Sequence, residues 1–231
     1  RYYQDADIRA TIEKTIRQRA AGESPRVLLS LATGSGKTRV AAVLLRKMFD
    51  AGIMGRALFV CDRTELRDNG LGDFQTLFGN DAAEVDSRHP QKNARVLVAT
   101  YQTLSQDMGP DGVAFFRAHY PADFFDVIVI DECHRSAWGD WRAILDQHAA
   151  AAQIGLTATP RELTQPKETE GETLCQIEDD KRFLADNYRY FDDPAYEYTY
   201  LQGVADGYLA PNEIETYDLY HDNRHTPERV H

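Results

Sequence analysis

Val27-Leu28-Leu29-Ser30-Leu31-Ala32-Thr33-Gly34-Ser35-Gly36-Lys37-Thr38 decides how the rest of the chain reads. It begins as a short apolar run, the pattern of a strand buried on both faces. It passes through a glycine-rich turn into a helical stretch with Val40, Val43, Leu44 and Met48 on one side. Glycines let backbone N–H groups turn inward and approach phosphate oxygens with no Cβ in the way. A helix starting near Gly36 adds about +0.5 charge at its N-terminus. Lys37 supplies a point charge for β- and γ-phosphates, and Thr38 a hydroxyl for Mg2+. Thr33, Gly34, Ser35, Gly36, Lys37 and Thr38 are thus the candidate phosphate-binding residues. Leu31 stands where the general pattern has its first glycine.

Four more apolar runs follow: Ala57–Cys61, Val96–Ala99, Val127–Ile130 and Gln153–Leu156. Helical patterns separate them, for example Trp141 to Ala152, and a further helix is expected from Gln4 to Arg19, with Ile8, Ile12 and Ile16 recurring every four residues. Strands alternating with helices predict an α/β fold, a mostly parallel sheet with helices on both faces. Ligands of such sheets sit at the carboxyl ends of the strands. Polar clusters stand directly after the strands: Thr33–Thr38, Asp62–Arg67, Thr100–Thr103, Asp131–His134 and Thr157–Pro160.

Asp131-Glu132-Cys133-His134 is the second chemical motif. A carboxylate at the end of a buried strand is costly unless paired or metal-bound. Asp131 is placed to hold Mg2+ through water. Glu132 is placed to orient or deprotonate an attacking water, and His134 to link the site to its neighbours. The strands carrying Lys37 and Asp131 are expected to adjoin. A solvated Asp-Glu pair is the plain alternative, and the phosphate loop upstream weighs against it. No further Cys or His stands at ligand spacing to support a zinc site, and no nucleophile elbow is present.

Composition narrows the classes. Hydrophobic residues make up 42% and charged residues 27%, which excludes a wholly disordered or fibrous chain. No run approaches ~18 apolar residues, so no membrane partner is expected. Three scattered cysteines without CxxC spacing predict a reducing, cytoplasmic setting. The net charge of −11 is unevenly spread: residues 1–160 carry 19 basic and 20 acidic side chains, and the rest 7 and 17. A local basic face on the first part therefore stays compatible with nucleic acid. Residues 161–187 read as a polar, acidic loop or insertion. The tyrosine-rich stretch 188–220 suits packing more than base stacking. A nucleotide kinase or GTPase would need a lid rich in arginine or an Asn-Lys-x-Asp, and no Asn here precedes Lys.

Thr33–Thr38, Asp131–His134 and Thr157-Ala158-Thr159, in this order, resemble motifs I, II and III of superfamily-two helicases and translocases. Asp62-Arg63-Thr64-Glu65-Leu66 and Thr100-Tyr101-Gln102-Thr103 resemble the DNA-contacting motifs between them. Asp131–Ser136, Thr157–Pro160 and Tyr196-Glu197-Tyr198, leading into Gly203–Pro211, look like the motor region of the R subunit of type I restriction enzymes. Related DNA-repair and phage-defence helicases share much of this pattern.

The resemblance implies a RecA-like P-loop NTPase domain over residues 1–160 that uses ATP and Mg2+ to move on double-stranded DNA. It implies that residues 188–231 end this domain and lead to a second, absent one. Methyltransferase and specificity subunits are the implied partners, and the nuclease would lie outside this chain. It assigns adenine contact to Gln4, coupling to Thr157 and Thr159, and DNA-backbone contact to Arg63, Thr100 and Gln102.

Overall fold

Each of the five apolar runs forms a strand in the computed structural model, which describes residues 1–61, 70–85, 90–100, 116, 118–131, 144–157 and 188–211. They are β1 (Arg26–Leu31), β2 (Ala57–Cys61), β4 (Val96–Thr100), β5 (Val127–Ile130) and β6 (Ala152–Thr157). β2, β4, β5 and β6 are buried at every position, as strands covered on both faces must be. Two further strands were not expected from the sequence pattern, β3 (Ala82–Glu84) and β7 (Tyr196–Tyr198). The seven form one sheet in the order β3-β4-β2-β5-β6-β1-β7, with every described pairing parallel. All carboxyl ends therefore open on one edge.

Alternation along the strands makes two cores. Val27, Leu29 and Leu31 of β1 join Val127 and Val129 of β5 on one face. That face is covered by α1 (Tyr2–Ala20), α2 (Lys37–Asp50) and α3 (Leu71–Phe78). Leu28, Ile128 and Ile130 point to the other, where Phe116, Tyr120, Phe125, Leu145 and Phe191 pack. Gln153 is polar and fully buried in β6, and its amide donates to the carbonyls of Leu145 (2.8 Å) and His148 (3.3 Å), so no donor is stranded.

The helix expected through Ala152 is helical at 144–147, and Ala152 already belongs to β6. The helix expected at 4–19 runs from Tyr2 to Ala20, but its buried stripe is not Ile8-Ile12-Ile16. Tyr3, Asp7, Ile8, Thr11 and Thr15 are buried, and Ile16 is 50% exposed. Among the described residues no helix is long and apolar enough to cross a membrane. The expected loop at 161–187 lies outside the described residues.

Candidate nucleotide-binding site

The turn after β1 is shaped by two glycines. Gly34 and Gly36 have φ of +82° and +87°, a left-handed backbone that side chains with a Cβ rarely adopt. A Cβ on Gly34 would stand 3.4 Å from Leu209 Cδ2, and one on Gly36 3.3 Å from Gln4 Nε2. Gly36 is the N-cap of α2, and no side chain caps that end. The amides of the first helical turn have no carbonyl within the helix to bond. Ser35 Oγ is buried and makes no hydrogen bond among the described residues. The Ser35 amide donates to the Ala32 carbonyl at 3.1 Å, while the uncapped helix start and buried Lys37 are the donor set a chain of phosphates requires, so these residues fit a triphosphate. Lys37 is buried to 8% exposure at the base of the loop, Thr38 is half-buried beside it, and Thr33 is exposed.

Asp131 follows β5 and is 1% exposed, its amide donating to the Val60 carbonyl at 2.7 Å. The strands bearing the loop and Asp131 do not adjoin: β6 lies between them. Two strand spacings put β1 and β5 about 10 Å apart, a gap that a lysine, a phosphate and a hydrated ion can fill. The intervening strand ends in Thr157, buried and level with Ser30 of β1. Thr157 thus stands between the two expected halves of the site.

Gln4 is half-buried, and its amide nitrogen donates to the Ser35 carbonyl at 3.1 Å. In this structure Gln4 supports the loop. Thr100, expected to touch DNA, is 3% exposed. By strand alternation with Val96 and Val98 it faces the side covered by α2. Glu132, His134, Thr159, Arg63 and Gln102 lie outside the described residues.

The sequence reading missed the supports of the loop. Tyr3 donates its hydroxyl to the same Ser35 carbonyl at 2.8 Å. Its ring stacks on Tyr198 of β7, centroids 3.9 Å apart. Burial pushes the Tyr198 phenol up, aided by its bond to Asp206. Hydrogen bonds from Tyr2 and Tyr198 hold the Asp206 carboxyl below its ordinary value. The only sequence signal was the place of Tyr3 beside Gln4.

The arrangement has relatives. A family described as "Type III restriction enzyme, res subunit" (ResIII) matches residues 1–162. The chain belongs to the ResIII family. It is 36% identical over 223 residues to the type I restriction enzyme EcoAI endonuclease subunit of Escherichia coli, covering 95% of this chain and 24% of that protein. A fragment described as an HsdR subunit of a type I restriction enzyme from Vibrio vulnificus YJ016 superposes with a TM-score of 0.63 at 31% identity, covering 91% of this chain and 32% of that one. The UvsW helicase of bacteriophage T4 shares the fold, with a TM-score of 0.51 at 20% identity over 70% of this chain and 53% of its own. This chain thus spans about a quarter of the EcoAI subunit's length. The ResIII match ends just past β6, while β7 lies beyond it and completes the sheet beside β1.

Proposed function

We propose that this chain is the first ATP-binding motor domain of a type I restriction enzyme R subunit, a machine that couples ATP hydrolysis to movement on double-stranded DNA. The observation that carries the reading is the uncapped amino end of α2 behind the Gly34–Gly36 turn, two strands from buried Asp131. Identity to the EcoAI subunit across nearly the whole chain supports the family-level half of the reading.

In this reading the amides of Gly34 and of Gly36 to Thr38 and the Lys37 ammonium bind the phosphates. Thr38 and Asp131 would hold Mg2+, which when bound neutralises charge developing on the phosphoryl oxygens. Glu132 takes a proton from the attacking water, and Gln4 contacts adenine. Thr157, lying between loop and Asp131, couples nucleotide state to motion together with Thr159 and His134. Arg63, Thr100 and Gln102 contact the DNA backbone. Residues 1–160 make the motor domain, 161–187 a polar insertion, and 188–231 its end and the hinge toward a second motor domain. The partners are DNA and the methyltransferase and specificity subunits of a restriction complex in the cytoplasm.

Such a motor needs arginines from a facing domain, worth about 10³–10⁵ in rate. The one Gly-Arg pair here, Gly55-Arg56, precedes β2 and so sits at the opposite edge of the sheet from the loop. The chain alone is expected to bind Mg·ATP and hydrolyse it slowly. Calorimetric titration tests the site: Lys37→Ala should abolish Mg·ATP binding and Glu132→Gln should preserve it. Retained binding in Lys37→Ala would remove the basis of the proposal. Affinity for nonspecific duplex DNA should fall with a log–log salt slope of about −0.9 per phosphate neutralised.

A further inference from the structure

The Ser35 carbonyl accepts two hydrogen bonds from α1, from the Tyr3 hydroxyl at 2.8 Å and from Gln4 Nε2 at 3.1 Å. A peptide unit is planar and trans, so its N–H points opposite to its C=O. Drawing the Ser35 carbonyl toward α1 therefore aims the Gly36 amide away from α1. Gly36, with φ of +87°, lacks the Cβ that would otherwise restrict this peptide plane. The orientation of the amide thus depends on what holds the carbonyl.

What holds it is itself anchored far along the chain. Tyr3 and Tyr198 are both fully buried, and their rings lie within 10° of parallel. The Tyr198 carbonyl accepts the amide of Ala32, the residue entering the turn, at 2.9 Å. The Tyr198 hydroxyl donates to Asp206 at 2.7 Å. The amides of Tyr208 and Leu209 both bond the Gly203 carbonyl at 2.9 Å. This brings the Leu209 side chain over Gly203, where a Cβ would meet it at 2.4 Å, and near Gly34, where an added Cβ would stand 3.4 Å from it. Residues 198–209 therefore bond the turn at Ala32 directly, line the space a side chain at Gly34 would occupy, and reach Ser35 through Tyr3.

We infer that Tyr3, stacked on Tyr198, is a positioning residue that aims the Gly36 amide at a bound polyphosphate, and that residues 198–209 form a strap sensing whether that polyphosphate is present. The inference rests on the nucleotide reading above and extends it. Binding energy realised at the Gly36 amide stabilises the Ser35 carbonyl contact and, through the Tyr3–Tyr198 stack, the strap. Coupling of this kind is reciprocal: whatever loosens residues 198–209 weakens phosphate binding.

The test is a titration of the full chain with Mg·ATP and with inorganic tripolyphosphate, comparing wild type, Lys37→Ala, Tyr3→Phe and Gly203→Ala. Tyr3→Phe keeps the ring stack and removes the bond to the Ser35 carbonyl, together with the one that the hydroxyl accepts from exposed Arg1 at 3.0 Å; loss of the first is worth up to about tenfold in affinity. It should weaken both ligands by the same factor, because the effect lies at the phosphates and not at the base. Gly203→Ala displaces Leu209 and should weaken both as well. Amide hydrogen exchange across 198–209 should slow when ATP is added to wild type, and slow less in Tyr3→Phe. Wild-type affinity in Tyr3→Phe, or exchange in 198–209 that ignores ATP, overturns the strap while the nucleotide reading stands. Equal behaviour of wild type and Lys37→Ala overturns that reading and the strap with it. A loss in Tyr3→Phe confined to ATP, with tripolyphosphate unaffected, also overturns it, since the tyrosine would then act on the base.

Discussion

Helices α1 and α2 lie on the same face of the sheet and are held there by different forces. α2 buries Val40, Ala41, Leu44, Leu45 and Met48, an apolar stripe of helical period. α1 buries Tyr3, Asp7, Thr11 and Thr15 along one line, with Ile8 as the sole buried large aliphatic. Its attachments are polar and specific. Tyr3 and Gln4 bond the Gly34–Gly36 turn at one end. Arg19 donates to the carbonyls of Ile53 at 2.9 Å and Asp126 at 3.2 Å at the other. Midway, Lys14 reaches the carbonyls of Phe191 and Asp193, both at 3.3 Å. Area burial is tolerant of small shifts, whereas directed hydrogen bonds fix orientation. α2 is placed by the first and α1 by the second, as suits a helix that orients a loop.

The largest effect that should sharpen this contrast is in α2. Leu44→Ala removes a fully buried side chain from the packed stripe and should cost about 2–5 kcal/mol in equilibrium urea unfolding. A loss no larger than that of a surface change would put the two helices in one class.

Asp7 gives the next effect, with the opposite sign. Burial pushes its carboxyl up to about 8, with Asp5 raising it further and Lys47 opposing. Its oxygens make no side-chain hydrogen bond among the described residues, and the half-buried Tyr196 phenol is the other titratable group influenced by it. A carboxyl raised in the folded state takes up protons on folding. Stability should then fall as pH rises from about 4 to about 8 and level off above. Asp7→Asn removes the charge that folding must neutralise. It should stabilise the chain by about 4 kcal/mol at pH 7, with the gain shrinking toward zero at pH 4. Unfolding curves at the two pH values check this, and an equal gain at both would show that ionisation of Asp7 is not the cause.

The smallest effect is on the periodic isoleucine that the sequence placed inside. Ile16→Ser at a half-exposed site should change stability by under about 0.5 kcal/mol. A loss near that of Leu44→Ala would restore the apolar-stripe description of α1.

How much was legible follows from the same physics. Five strands were readable because strands covered on both faces must be apolar at each position, and β2, β4 and β5 consist of little else. β3 and β7 escaped because each is three residues long at an edge of the sheet, too short for a period to show. The turn after β1 was readable as a glycine-rich strand-to-helix turn, because Gly34 and Gly36 take a left-handed backbone that other residues rarely adopt. The supports of the loop were not. A tyrosine can serve as core, hydrogen-bond donor or stacking partner, and nothing in Tyr3 or Tyr198 alone chooses among them. Nor was the burial of Thr100 legible: a threonine at a strand end has no preference for water that its neighbours cannot override.

From the order of its residues alone, the chain determined a parallel sheet, the edge of that sheet where its polar clusters gather, and a glycine-rich turn leading into α2. These follow from local requirements, the apolar character of buried strands and the absence of a Cβ where the backbone turns left-handed. Only the tertiary structure decided that β6 stands between the loop and Asp131, that α1 turns a polar stripe inward, and that residues near 200 brace a turn near 35. Those outcomes depend on which distant segments pair and stack. Such choices are made by the summed free energy of the whole packed chain, and no short window of sequence contains them.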